Sequence, residues 1–230
     1  MNIAIIPARG ASKRIKGKNI KVFNGKPLIA YSIETALKSN IFDEVIVSTD
    51  CPEIAKFSVE FGATVPFTRP DSLSDDFTNT RAVINHGLKS MQELGHVVNY
   101  CCCIYATAPF IQGRYIQQGL DTLKSNPSKA FAFSISTFDF PVQRALNVGE
   151  NGISPMFPEF ADSRSQDLPE AFHDAGQFYW GSASAFLSDK HLFSKHAIGI
   201  QIPRHLVQDI DTLEDWERAE LMYKSYINPS

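Results

Sequence analysis

Ile3-Ala4-Ile5-Ile6-Pro7-Ala8-Arg9-Gly10-Ala11-Ser12-Lys13-Arg14-Ile15-Lys16-Gly17-Lys18-Asn19 opens the chain. The apolar run Ile3 to Ile6 reads as a buried strand. It stops at Pro7 and passes into a loop of small residues and positive charge. Backbone N–H groups approach an anion where side chains are small, and fixed cations neutralise it. Strand followed by basic loop is therefore the layout of a phosphate site at the carboxyl end of a strand. Arg9, Lys13, Arg14, Lys16, Lys18, Lys21 and Lys26 all precede the first acid, Glu34. The whole chain carries a net charge of -3, so the residues from 34 onward carry -10. Positive charge is concentrated at one place. The bland alternative is a solvated basic loop.

Two familiar phosphate fingerprints are absent. Gly10 does not begin a G-x-G-x-x-G, and no G-x-x-x-x-G-K-[ST] occurs in the stretch. The segment I-P-A-R-G-x-S-K-R-I-x-G-K-N instead closely resembles the opening signature of the cytidylyltransferases that activate acidic sugars, the CMP-sialic acid synthetase family. Within that family the resemblance is to the pseudaminic-acid branch. Ala11 stands where Gly is common and Lys16 where Pro is common. Arg9, Ser12, Lys18 and Asn19 are all kept.

The 230 residues suit a single domain, and 43% hydrophobic content supplies a sizeable core. A slightly acidic total argues against a general nucleic-acid binder. No apolar run is long enough to span a membrane, and no signal peptide is visible. Cys101, Cys102 and Cys103 are consecutive in an apolar segment and Cys51 stands alone, which is neither a disulfide framework nor a metal spacing. A reducing, cytoplasmic setting is expected.

Downstream, strands and helices alternate. Helices are expected after Pro27, over 52–61 with Gly62 as C-cap, over 78–92, over 112–125 and from about Thr212. Strands are expected over 43–50, 97–106, 130–136 and 197–202, with a short edge strand at Thr64–Phe67. The pattern resumes after residue 171 with Gln177 to Ala185. This is an α/β three-layer sandwich around a mostly parallel sheet, with ligands at the carboxyl ends of the strands. Residues 139–171 break the pattern. They are rich in proline and aromatics, and folding back on their own domain is the plain alternative. The family resemblance implies a dimerisation arm that reaches over a partner's active site, and hence a homodimer.

Four constellations complete the reading. Arg9 and Lys18 are the expected catalytic phosphate contacts, with Ala8, Gly10, Ser12 and Asn19 shaping the loop; Lys13, Arg14, Lys16 and Lys21 are read as steering charges. In Gln208-Asp209-Ile210-Asp211-Thr212, two carboxylates at i and i+2 can share one cation in extended chain. A helix cap built from Asp211 with Glu214, or Thr212 with Asp215, fits the same residues. The resemblance to the D-x-D-T segment favours Mg²⁺ on Asp211 and Asp209. Tyr105-Ala106-Thr107-Ala108-Pro109-Phe110 leaves the central strand where a substrate should lie. Arg69 and Thr80 are candidates for the nucleotide, with Ala106. Thr107, Arg164, Gln166, Gln177 and Tyr179 are candidates for an acidic sugar, whose carboxylate Arg binds bidentately. Phe178 and Trp180 read as core, His173 as structural, and Asp75 and Asp76 as a turn as readily as ligands.

The resemblance spans the chain in ordered blocks. It implies that CTP and a nine-carbon 2-keto acid sugar give the CMP-sugar and pyrophosphate, for use in flagellin or surface-polysaccharide glycosylation. N-acetylneuraminic, legionaminic or Kdo-type sugars are the alternative acceptors. A non-catalytic nucleotide-sugar binding protein is the alternative of another class.

Overall fold

The computed structural model describes residues 1–150 and 152–227; position 151 of the expected arm and the last three residues lie outside them. The elements run β1 (Asn2–Pro7), β2 (Val22–Phe23), β3 (Lys26–Pro27), α1 (Leu28–Lys38), β4 (Glu44–Ser48), α2 (Pro52–Glu60), α3 (Thr80–Glu93) and β5 (Tyr100–Ile104). They continue with α4 (Gly113–Ser125), β6 (Phe131–Thr137), β7 (Leu146–Gly149), β8 (Gly152–Pro155), β9 (Phe172–Ser182), α5 (Ala183–Phe186), β10 (Ala197–Gln201) and α6 (Leu213–Ile227).

Six strands form the central sheet in the order β10-β6-β9-β5-β1-β4. β1 runs parallel to both β4 and β5, and β10 parallel to β6. β9 alone is antiparallel, wedged between β5 and β6. Alternation along each strand divides the core into two faces. Ile3, Ile5, Cys101, Cys103 and Phe131 pack under Ile84, Leu88 and Met91 of α3 and Phe186 of α5. Ala4, Ile6, Val45, Val47 and Cys102 pack against Leu28, Ile29 and Ile33 of α1, Ile116 and Leu120 of α4, and Trp216 of α6. Each large side chain fully buried this way contributes about 1.5–3 kcal/mol. The expected three-layer α/β sandwich is what forms. The three consecutive cysteines are buried free thiols, and burial raises the thiol of each.

Local differences have physical causes. Asn24-Gly25 turns a two-residue hairpin, β2–β3, with positive φ at both residues, a turn type that Asn-Gly favours. The expected edge strand at Thr64–Phe67 is a single bridge from Thr64 to Ile46, because Pro66 cannot continue a ladder. The expected strand over 97–106 shortens to β5. Asn79 caps α3 through Ala82 N–H at 2.9 Å, so the helix starts two residues late. The expected irregular arm contains an exposed hairpin, β7–β8, among short 3₁₀ turns. Trp180 is core, its indole N–H donating to Ile116 O at 2.8 Å.

Candidate active site

Because β1, β4 and β5 are parallel, their carboxyl ends open on one side of the sheet. A cleft of about 640 Å³ lies there. Arg9, Ser12, Lys18, Asn19, Arg69, Thr80, Ala106, Thr107 and Asp211 all line it. These come from the basic loop, the segments before and after α3 and β5, and the chain entering α6. Arg14 and Asp211, from opposite ends of the sequence, pair there.

The loop is built before any ligand contributes. Ala8 N–H donates to Ser48 O at 2.9 Å, so Ala8 is buried and tied to β4 and does not itself line the cleft. Gly10 N–H donates to Asp50 Oδ1 at 2.9 Å, and a Cβ on Gly10 would stand 2.9 Å from Cys51 Cβ. That contact explains glycine at position 10 by close approach. Asn19 Nδ2 donates to Arg9 O at 3.0 Å, so Asn19 braces the loop. Asp50 also faces Arg69 Nη2 at 3.4 Å and thereby ties the loop to the nearly buried Arg69. Asp50 escaped sequence reading because its partners lie 40 and 19 residues away.

The cations are met by two acids. Arg9 Nη1 donates to Asp76 Oδ1 at 2.7 Å and to Asp75 O at 2.8 Å, and Lys13 pairs with Asp76. Lys13 and Arg9 hold the Asp76 carboxyl below the usual carboxylate range. Arg14 pairs with Asp211 Oδ2 at 2.9 Å. Lys18 Nζ donates to Ile210 O at 2.7 Å and to Asp211 Oδ1 at 3.2 Å. Lys13 and Arg14, expected to be steering charges, are largely exposed but line the cleft and pair with its acids. Lys21 stays outside, 4.5 Å over the Trp216 ring. Asp75 is a turn residue that accepts from Thr78 N–H at 2.7 Å.

The two acids of the 208–212 segment part company. Asp211 lines the main cleft, whereas Asp209 lines a neighbouring one with Thr137, Asp139, His173 and Arg204. Desolvation, then the Asp211 charge, raises the Asp209 carboxyl above its ordinary value. The helix cap is made by Thr212 and Asp215 and leaves the Asp211 side chain to the cations.

The expected sugar residues divide in the same way. Thr107 reaches the cleft. Tyr179 lines an adjoining, mostly apolar pocket of about 470 Å³ that shares Thr80 and Tyr105 with the main cleft. Gln177 is buried and donates its amide to Leu206 O. Arg164 pairs with Asp167 at 2.7 Å on the exposed arm, and both Arg164 and Gln166 lie outside the main cleft of their own chain. His173 Nδ1 donates locally to Asp174 O at 2.8 Å, and the ring packs edge-on to Phe138.

The profile of a cytidylyltransferase family matches residues 3–220. A pseudaminic acid cytidylyltransferase of Campylobacter jejuni serotype O:2 is 46% identical, over 97% of this chain and 96% of that one. A CMP-N,N'-diacetyllegionaminic acid synthase of Legionella pneumophila is 28% identical over 95% of this chain and 94% of that one. The solved CMP:2-keto-3-deoxy-manno-octonic acid synthetase complexed with CTP superposes with a TM-score of 0.72 at 17% identity, covering 98% and 99% of the two chains; it shares the fold. With a matched family profile over nearly its whole length and a close relative of the same extent, this chain belongs to the cytidylyltransferase family.

Proposed function

We propose that the protein transfers CMP from CTP to the anomeric hydroxyl of pseudaminic acid. The observation that carries the reading is the gathering in one cleft of Arg9 and Lys13, paired with Asp76, and Arg14 and Lys18, paired with Asp211. A triphosphate needs cations at its β- and γ-groups, and the transition state loads charge on the α-phosphate and departing pyrophosphate. Arg9 and Lys18 supply preorganised donors where that charge develops. The acceptor hydroxyl oxygen forms the new bond to the α-phosphorus. The bridging bond to the β-phosphate oxygen breaks, pyrophosphate leaves, and the hydroxyl proton passes to solvent.

The residues present fit Mg²⁺. Asp211 is a hard oxygen donor, partly exposed, and the helix cap does not use it. Mg²⁺ binds through one or two carboxylates plus phosphate oxygens and neutralises their charge when bound. Asp211 would hold it, with Asp209 as the second candidate. The exposed Phe140, Leu146, Val148, Ile153 and Met156 support a homodimer through the arm. In that dimer Arg164 and Gln166 serve the partner's acceptor site. Three buried free thiols among the four cysteines suit a cytoplasmic enzyme. No helix among the described residues is long and apolar enough to cross a membrane. The product feeds glycan assembly, flagellin glycosylation included.

The test is pyrophosphate release over a matrix of four nucleoside triphosphates and several nonulosonic acids. CTP with pseudaminic acid should give the highest kcat/KM. Faster turnover with N-acetylneuraminic acid would reassign the acceptor, and no release with any pair would leave a binding protein.

A further inference from the structure

Asp174 stands where two spaces meet. It lines the mostly apolar pocket of about 470 Å³ beside the main cleft, and also the cleft that holds Asp209. Its carboxylate is held at both oxygens. Oδ1 accepts Gly176 N–H at 3.0 Å, and Oδ2 accepts the Tyr179 hydroxyl at 2.7 Å. Among the described residues no cation forms a salt bridge with it. An ionised carboxyl offers about four lone-pair sites, so acceptor capacity remains open.

A backbone irregularity puts it there. Between Phe133 and Ile135 the β6–β9 register slips, and β9 moves from Tyr179 to Asp174, five residues, against two on β6. In a regular strand, residues five apart face opposite sides of the sheet. Gly176, at φ +62, provides the left-handed turn inside the bulge. Asp174 is thereby folded back to the hydroxyl of Tyr179 and fixed.

The neighbouring polar side chains of the pocket are already engaged. Asn79 Oδ1 accepts Ala82 N–H at 2.9 Å, and the Thr80 and Tyr105 hydroxyls are hydrogen-bonded to one another at 3.2 Å. Tyr179 gives its single proton to Asp174. Arg81 donates to the carbonyls of Ala185, Phe186, Ser188 and Lys190. His191 is exposed at the edge. Asp174 is therefore the fixed charge of this wall that has no counter-ion.

We infer that Asp174 is a specificity-determining residue that accepts a hydrogen bond directly from a neutral donor of the acceptor sugar, a hydroxyl or an amide N–H. The inference rests on the proposed reading of this pocket as the acceptor site. Like charges repel, so the sugar's own carboxylate is kept away from Asp174 and drawn to the cations of the main cleft. The neutral part of the sugar then faces Asp174. A methyl group or a bare acceptor atom placed there would strip water from the carboxylate and return no bond. Such acceptors are disfavoured.

Kinetics with acceptor analogues test this. Each hydroxyl of the acceptor is replaced by hydrogen in turn, and each amide is N-methylated in turn. In the wild type, loss of one particular donor should lower acceptor kcat/KM roughly ten- to a hundredfold, the scale for a hydrogen bond to a charged group. Asp174→Asn keeps an oxygen for Gly176 N–H but removes the charge. It should lower kcat/KM for the complete acceptor by a similar factor while leaving CTP affinity, measured by calorimetry, within about twofold. On the analogue that lacks the donor, wild type and Asp174→Asn should agree within about twofold. Tyr179→Phe removes the hydroxyl that Asp174 holds, and in that background the Asp174→Asn loss should persist. A loss that disappears there would mean that Asp174 acts only by holding Tyr179, and would overturn the inference. An equal loss on every analogue, or an equal fall in CTP affinity, would overturn it too. If Asp174→Asn does not fold, the wild type still decides, because indifference to every analogue sinks the idea. A wild-type enzyme that releases no pyrophosphate with any pair overturns the functional reading, and this inference with it.

Discussion

Thr212 and Asp215 cap α6 reciprocally. Asp215 Oδ2 accepts the Thr212 backbone N–H at 2.8 Å and its hydroxyl at 2.8 Å, and Thr212 Oγ1 accepts Asp215 N–H at 3.2 Å. With the cap made by these two, Asp211 is free to face Arg14 and Lys18. Thr212→Ala should therefore cost about 0.5–2 kcal/mol of stability while leaving the Mg²⁺ requirement unchanged. Asp211→Asn should melt near the wild-type temperature but lose turnover steeply, because a neutral amide is a poor ligand for a hard cation. Melting curves and Mg²⁺-dependent pyrophosphate release on both variants check the division of labour. Wild-type turnover in Asp211→Asn at ordinary Mg²⁺ would remove the metal role.

Asp76 occupies the two cations, Arg9 and Lys13, that a triphosphate needs. It acts as an internal competitor for phosphate. Both carboxylate and cations are substantially exposed, so the pairing is weak and screened by solvent. Asp76→Asn should accordingly tighten CTP or pyrophosphate binding by up to roughly fivefold, and most at low ionic strength. Calorimetry at two salt concentrations measures it. Weaker binding in the variant would mean that Asp76 shapes the loop for the ligand.

The parts of this site legible in sequence are those carried by local pattern. Ile3 to Ile6 declares a buried strand by continuous apolarity, and the loop after it declares a phosphate site by charge. Thr212 and Asp215 announce a cap by spacing. The direction of β9 is not written in Phe178, Tyr179 and Trp180, since an apolar strand reads alike in either sense. Asp50 and Asp174 look like ordinary turn acids. Their roles exist only once the sheet brings Gly10 and Arg69 to one and the bulge folds the other under Tyr179. Arg164 and Gln166 have side chains suited to an acidic sugar, and the fold of a single chain keeps them on the arm.

Acid sensitivity should trace in part to His86. Burial, and to a lesser extent the Arg69 charge, lowers its pKa from 6.5, against an opposing pull from Glu93. Its ring lies edge-on to Phe67, with centroids 5.2 Å apart. The unfolded chain therefore binds this proton more readily than the folded one. The stability from His86 is fully present above pH about 6.5 and is lost as pH falls through the lower folded pKa. Between pH about 7.5 and about 5.5, the melting temperature of the wild type should fall more than that of His86→Gln. Parallel profiles for the two proteins would clear His86.

Arg81 fastens the end of α5 to α3. Its guanidinium donates to Phe186 O and Ala185 O, each at 3.0 Å, and to the carbonyls of Ser188 and Lys190. Removing it strips partners from four carbonyl groups at once. Arg81→Ala should lower unfolding free energy by about 2 kcal/mol or more. Arg81→Lys should recover little, because an ammonium cannot span the fork geometry. Urea denaturation of the three proteins gives the answer, and a full rescue by lysine would show that charge alone matters.

The arm gives a prediction that a single-chain site cannot share. Arg9 lies in the cleft of its own chain, whereas Arg164 lies on the arm, paired to Asp167. If Arg164 serves the partner's site, Arg9→Ala and Arg164→Ala homodimers are each defective at both sites. In a mixed dimer the two defects fall together. The Arg9→Ala chain receives the arm of the Arg164→Ala chain, and that site carries both lesions. The other site combines an intact Arg9 with an intact arm and works normally. Random reassortment places about half of the chains in mixed dimers, each with one good site, so about a quarter of wild-type activity should return on mixing. Co-expressing the two variants and purifying through different tags isolates the mixed dimers alone, in which about half of wild-type activity should return. If Arg164 acts within its own chain, the mixed dimer has one lesion at each site and recovers nothing. Activity no greater than the average of the two parents in the doubly tagged dimer therefore returns Arg164 to its own chain.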